Sequence, residues 1–409
     1  MARQHVYPSG HWSLKVEIPY SMGVKAGEMV ILAGQVDMKG NGEVQNKGDL
    51  GKQTEISIGH IKRILGQLGC DARDIVKLVV FYKTDGGVDE DAYRASIAKL
   101  IGVIDQSMCI SFVPLAHLAY PGMMVEIDTY AMRGRKGERL AKTAAALPEL
   151  EDLGRPFAHA VRVGEMIFTS GIKARARDGR VLHPGDTVGQ ARVVQDNLRK
   201  VLGALGTDQN DVVKLNTWYV AGGSVEEWEK NARLRAEFFP DPGPSATGIP
   251  LPHIAPAGGR FQMDAWAMRG VDGARVKKEH VWFEDQWDWP NLHLPFKHGL
   301  KCGTFVFVSG QAPLDPKGRV KAPGEMGAQS KICMDYAGRV LKHWKLGFPD
   351  VVKMNAYYQG KDGPDELHAN VNVRSSYFKR PGPTSTGVPV PFLAYAGMTV
   401  EFEAIAMTE

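Results

Sequence analysis

The chain has 409 residues, 44% hydrophobic and 23% charged, with a formal net charge of +4 spread along its length. The length calls for two to four domains, and the composition is that of an ordinary globular protein. There is no run of about 20 apolar residues for a membrane helix, no basic block for nucleic acid, and no apolar core of a signal peptide at the start.

From the N-terminus, PYSMGVKAGEMVILAGQ (19–35) reads as a strand pair around a glycine turn. In KQTEISIGHIKRILGQLG (52–69) apolar residues recur at spacings of three and four, which predicts a helix closed by its last glycine. DIVKLVVFYK (74–83) is a β-branched and aromatic strand, a second helix follows, and AYPGMMVEIDTYAM (119–132) closes the unit as a strand. The charged, Ala-rich RGRKGERLAKTAAALPELEDLGR (133–155) reads as a join.

The same phrases then return in order. PFAHAVRVGEMIFTSGI (156–172), GQARVVQDNLRKVLGALG (189–206), DVVKLNTWYV (211–220), the helix in SVEEWEKNARLRAEFF (224–239) and APAGGRFQMDAWAM (255–268) form a second copy. After a join at 269–290 that contains Trp282, Trp287 and Trp289 come PFKHGLKCGTFVFVSGQ (295–311), AQSKICMDYAGRVLKHWKLG (328–347), DVVKMNAYYQ (350–359) and AYAGMTVEFEAIAM (394–407). In this third copy PLDPKGRV (313–320) reads as a hairpin. From Lys77 to Lys214 is 137 residues and from Lys214 to Lys353 is 139; Pro19, Pro156 and Pro295 keep the same intervals. That period is the size of a domain, not of a solenoid repeat. Three tandem α+β domains are expected, at 1–134, 150–270 and 288–409, each a mixed sheet with two helices on one face. The tryptophan-rich join is either a linker packed on a neighbouring domain or an aromatic wall over a pocket.

Side chains alternate along a strand. In the closing strand Val400, Phe402 and Ala404 share one face, and Thr399, Glu401 and Glu403 the other. The second face thus carries Glu126 and Asp128, Gln262 and Asp264, or Glu401 and Glu403. Packed around a pseudo-threefold axis, such carboxylates would be desolvated and tuned for acid–base work; on a free face they would be solvated.

The P-[YF] start, the [SA]-G-Q strand end, the D-[IV]-V-K strand and the closing V-E-[IF]-[ED]-x-x-A-M strand together resemble the RidA family, also called YjgF, of imine and enamine deaminases. The resemblance spans the chain three times. Family members are homotrimers with pockets at subunit interfaces, so it implies an intramolecular pseudo-trimer. Carried over by position, it implies pocket residues Tyr20, Phe157 and Phe296, and strand ends Ala33-Gly34, Ser170-Gly171 and Ser309-Gly310 with ligand-facing backbone. It implies a water-activating carboxylate at Glu126 and Glu401, with Gln262 unable to serve, and a helix asparagine at Asn231 and Asn372. The family arginine that holds a substrate carboxylate falls at Ile110, Ala246 and Ser385, none of them basic, so a neutral ligand is expected.

His117 and His253 share one aligned position and are candidate proton donors to the leaving nitrogen. His159 and His298 share another, two residues after the pocket aromatic; packed histidines are the alternative in both cases. Ser245, Thr247, Thr384 and Thr386 either bond a ligand or satisfy their own loop. Cys70, Cys109, Cys302 and Cys333 form no CxxC pair and flank no histidine at ligand spacing, so no metal is expected, and a reducing, cytoplasmic setting is.

The expected function is cofactor-independent hydrolysis of a C–N bond in a small amide, cyclic amide, enamine or imine. Glu126, paired with His117, or Glu401 would activate water, and Gly34, Gly171 or Gly310 N–H groups would hold an oxygen. A non-catalytic small-molecule binder on a decayed deaminase scaffold is the alternative, and ribonuclease activity a third reading. The expected partner is a small molecule, without nucleic acid or membrane, in a chain that could further associate as rings.

Overall fold

A computed structural model describes residues 3–289 and 292–408; Pro290, at the end of the tryptophan-rich join, lies outside them. The first unit runs β1 (Gln4–Val6), β2 (Gly23–Ala26), β3 (Met29–Leu32), α1 (Leu50–Gln67), β4 (Ile75–Lys83), α2 (Glu90–Ile101), β5 (Cys109–Leu115) and β6 (Val125–Met132). The second runs β7 (Thr143–Ala145), β8 (Ala160–Val163), β9 (Met166–Thr169), β10 (Ile172–Lys173), α3 (Thr187–Gly203), β11 (Val212–Val220), α4 (Val225–Ala236), β12 (Ser245–Leu251) and β13 (Phe261–Met268). The third runs β14 (Lys278–Val281), β15 (Gly299–Cys302), β16 (Phe305–Gln311), α5 (Met326–His343), β17 (Val351–Gln359), α6 (Asp365–Ser375), β18 (Thr384–Val390) and β19 (Val400–Met407).

Each unit forms its own mixed sheet, in the order β1-β2-β3-β6-β4-β5, β7-β8-β9-β13-β11-β12 and β14-β15-β16-β19-β17-β18. The joins are not free linkers, because β7 and β14 are edge strands of the sheets that follow them. A further strand per unit, β5, β12 and β18, pairs parallel to β4, β11 and β17. Pro114, Pro250 and Pro389 lie within these strands, and so do Ser245, Thr247, Thr384 and Thr386, for which a loop was one of the two expectations. Each strand is an edge, where a proline's missing N–H costs no ladder bond.

Asp49 and Asp186 cap α1 and α3 by accepting the N–H of Lys52 and Val188. After α1 and α3 the chain turns through Gly69 and Gly206, both at φ +72°. After α5 the same place is held by Lys345 at φ +60°, so the third helix does not end on its glycine as expected.

The carboxylate faces of the three closing strands converge on a common axis. There Lys77 meets Asp264 at 3.3 Å, Lys214 meets Glu403 at 2.6 Å and Lys353 meets Asp128 at 2.9 Å. Each pair joins one unit to another, first to second, second to third and third to first, so the ring closes. All six side chains are buried, and such pairs fix arrangement more than they add stability. The lysine is that of the D-[IV]-V-K phrase. The proline carbonyl of the P-[YF] phrase is also an inter-unit contact: Gly382 donates to Pro19 O, Ser107 to Pro156 O and Gly243 to Pro295 O, at 2.8–3.0 Å. Among the described residues no helix is long and apolar enough to cross a membrane.

Candidate active sites between the units

The two carboxylates of each closing strand have separate destinations. Asp128, Asp264 and Glu403 go to the axis. Glu126 and Glu401, one residue pair nearer the strand start, face pockets between units.

The pocket of Glu126 lies between the first and third units, with a cavity of about 50 Å³. The first unit gives Trp12, Tyr20 and Met38; the third gives Leu367 and Arg374 from α6 and Ser385 and Gly387 from β18. The pocket of Glu401 lies between the third and second units, with a cavity of about 20 Å³. Here the third unit gives Trp287, Trp289 and Phe296, and the second gives Trp228 and Arg235 from α4 and Ala246 and Gly248 from β12. Position for position the two are homologous. Trp287 and Trp289 belong to the join, so the tryptophan segment does wall a pocket while packing on its own domain.

Burial pushes both glutamates up to about 8, with the neighbouring Asp128 or Glu403 adding to the rise for each and Arg374 or Arg235 opposing it. Near neutral pH each therefore holds a proton it can give and take back. The close glycine is a physical requirement. A methyl group built on Gly34 would lie 1.9 Å from Glu126 Oε1, and one on Gly310 1.9 Å from Glu401 Oε1.

The arginine missing from the strand enters from the second helix instead. Arg235 is 5% exposed, its Nε and Nη1 have no partner, and its guanidinium lies 5.0 Å over the Phe296 ring. Arg374 is 2% exposed, donates to Ser385 Oγ, leaves Nε without a partner and lies 5.3 Å over Tyr20. Gly248 makes room: a methyl there would lie 2.0 Å from Arg235 Nη1. Buried unpaired donors of this kind favour an anion. The neutral ligand expected from the sequence followed from the lack of an arginine on the strand.

The third interface, between the first and second units, has lost this machinery. Gln262 replaces the glutamate and donates to Phe112 O at 3.1 Å. Ala98 replaces the helix arginine, and Phe112 replaces the glycine, packing with Tyr82 and Tyr93 at centroid distances of 5.9 and 5.6 Å. Outside this plug Arg94 and Arg175 pair with Asp91 and Glu151 at 2.6–3.2 Å. Phe157 lines the cleft of this network.

Other expected site residues are placed elsewhere. His117 does not line the Glu126 pocket; its Nε2 is 3.1 Å from Gly360 O of the third unit. His253 is half-buried toward Asp85 and Glu90, burial lowers its pKa, and it does not line the Glu401 pocket. His159 and His298 each accept a backbone N–H on Nδ1, from Leu147 and Phe283 at 3.0 Å, and place Nε2 2.8 and 2.9 Å from Glu151 O and Trp287 O. Both rings are thus neutral pins that hold the joins. The Gly34 N–H is taken by Thr386 Oγ1 at 3.1 Å and that of Gly171 by Ile110 O at 3.0 Å, so neither serves as an oxyanion donor. Ser170 and Ser309 donate to Ala158 O and Lys297 O. Asn231 bonds Glu227 O within its own helix, its true counterpart is Asn370 on Glu366 O, and Asn372 is exposed. The aligned pair Arg235 and Arg374, 139 residues apart, was the sequence signal for what was missed.

The profile of the endoribonuclease L-PSP family matches three times, at residues 11–133, 151–268 and 289–408. The chain belongs to that family. It does so in tandem triplicate, in line with the RidA and YjgF resemblance. It is 33% identical over 115 residues to a RutC family protein of Pyrococcus abyssi, covering 28% of this chain and 87% of that one. It is 29% identical over 116 residues to the mitochondrial protein mmf2 of Schizosaccharomyces pombe, covering 28% and 88%. Over 82% of this chain and 93% of the other it superposes on the crystal structure of a chorismatase with a TM-score of 0.54 at 14% identity, a likeness of fold alone.

Proposed function

We propose that this L-PSP family protein is a cofactor-independent deaminase that hydrolyses the C=N bond of small carboxylate-bearing imines, and of enamines once protonation at carbon has turned them into imines, at two pockets and not three. The observation that carries this is the same pairing at both: a buried glutamate, its pKa pushed up to about 8, in one pocket with a buried guanidinium that keeps at least one donor without a partner. Arg374 or Arg235 holds the substrate carboxylate. The protonated glutamate gives its proton to the imine nitrogen, then takes one from the water that attacks the carbon. Returned to nitrogen, that proton lets ammonia leave, and the hydroxyl proton passes to the glutamate as the carbonyl forms, which restores its protonated state. The aromatic walls keep bulk water from the charges.

The test is ammonia release from 2-imino acids generated in situ by an amino-acid oxidase. Glu126→Gln and Glu401→Gln should each remove part of the activity, and the double variant all of it above background. A double variant that keeps the wild-type rate overturns the proposal. The orphaned donors of Arg235 equally suit the non-catalytic binder reading; a wild type that binds 2-oxo acids tightly but turns nothing over selects it.

A further inference from the structure

The two working pockets share their acid and their guanidinium but not their walls. Aligned positions hold Leu14 against Trp289, Leu367 against Trp228, Val36 against Ala312 and Met38 against Leu314. In the Glu401 pocket the tryptophans stack into one another, Trp228 on Trp289 at 5.0 Å and Trp287 on Trp289 at 4.4 Å. Two leucine-to-tryptophan changes outweigh the smaller alanine and leucine opposite, and the cavity shrinks from about 50 to about 20 Å³. The remaining wall is rigid and flat, because an indole has two torsions and here packs on other rings. Both walls hold one aligned methionine, Met123 or Met398, but the Glu126 wall adds Met22 and Met38, whose unbranched side chains adjust to a guest.

We infer that the pockets divide substrates by chain length: the Glu401 pocket takes short or flat acids, and the Glu126 pocket takes these and longer flexible ones. This rests on the carboxylate-on-arginine reading above. Arg235 also has two donors without a partner where Arg374 has its Nη1 tied to Ser385. The tighter pocket therefore has more to gain from a small carboxylate, and less room for what the carboxylate carries. One tandem chain would thus cover two ranges of substrate with one chemistry.

Titration calorimetry of the full chain with inert 2-oxo acids tests this. 2-Oxobutanoate should fill two sites per chain and 2-oxohexanoate one. The 2-oxohexanoate site should vanish in Arg374→Ala and persist in Arg235→Ala. Trp228→Leu with Trp289→Leu should create a second 2-oxohexanoate site. Leu367→Trp should weaken 2-oxohexanoate by about tenfold or more, the scale for lost methylene room, and spare 2-oxobutanoate. Two equal 2-oxohexanoate sites in the wild type, or one that disappears with Arg235→Ala, overturns the inference and leaves the deaminase reading standing. If neither acid binds, the carboxylate-on-arginine reading falls and takes this inference with it.

Discussion

The Glu126 and Glu401 pockets and the cleft between the first and second units occupy the same place in three copies of one fold, yet obey opposite rules. The two pockets hold a guanidinium without its full set of partners and a glutamate raised to about 8. In the cleft both arginines are paired, Gln262 carries no charge, and Phe112 fills the space a guanidinium takes elsewhere. The changes are concerted: the carboxylate, the arginine and the glycine that admits it all go together. An unpaired buried charge is costly to the folded state. The contrast teaches that the cost is kept where a ligand can repay it and removed where the carboxylate is gone.

The sharpest way to break that comparison is to remove one arginine from each kind of site. Arg175→Ala removes one of the two arginines paired with the largely buried Glu151 and should destabilise the chain by about 2 kcal/mol, the scale of a lost hydrogen bond to a charged group, with deaminase activity kept. Arg235→Met removes a cation with orphaned donors and should leave stability unchanged or raise it by about 1 kcal/mol, while abolishing 2-oxo acid binding at the Glu401 pocket. Denaturant melts with calorimetry read both. Equal destabilisation by the two substitutions would contradict the contrast.

The next effect is in pH. A carboxyl raised from its usual range to about 8 binds a proton in the native state that the unfolded chain has lost, so stability falls as pH rises from about 4.5 to about 8. Two sites contribute and Gln262 does not. The Glu126→Gln, Glu401→Gln double variant should therefore match the wild type at pH 4 and exceed it at pH 9, in urea melts across that range. A wild-type slope that survives the double substitution would show that the pocket glutamates are not the source.

Gly34→Ala and Gly310→Ala sharpen the contrast at a single atom. Each puts a methyl 1.9 Å from a glutamate oxygen, whereas Gly171→Ala meets Gln262 atoms at 2.8 Å. The first two should each silence one pocket in the ammonia assay; the third should leave the rate intact and cost only modest stability.

The repeat, its period and the loss at Gln262 were legible because they are local phrases compared with themselves. The separate tasks of Glu401 and Glu403 were not, since alternation puts them on one face and only the ring's curvature sends one to the axis and the other to a pocket. The arginines were missed by looking for them on the strand of Ala246 and Ser385; α4 and α6 reach the same space from the other side. The aligned histidines left chemistry and packing both open, because recurrence alone does not separate them. His159 and His298 recur because each unit must fasten the join before it. The Arg94–Glu151–Arg175 network draws on two units and a join, and no spacing within one copy announces it.

The smallest expected effect lies outside both kinds of site and serves as a control on the comparison. Gly69 and Gly206 turn the chain out of α1 and α3 at positive φ, and Lys345 does so after α5. An L-residue in that conformation costs about 1 kcal/mol relative to glycine. Lys345→Gly should raise stability by about that amount, offset in part by the greater freedom glycine has in the unfolded chain. Because Lys345 lines no pocket, binding stoichiometry and the pH slope should stay as in the wild type. A gain in stability with both unchanged would show that the pocket costs are local to the pockets. A shift in either would mean that the third unit's packing, and not the unpaired charge alone, sets what the pockets do.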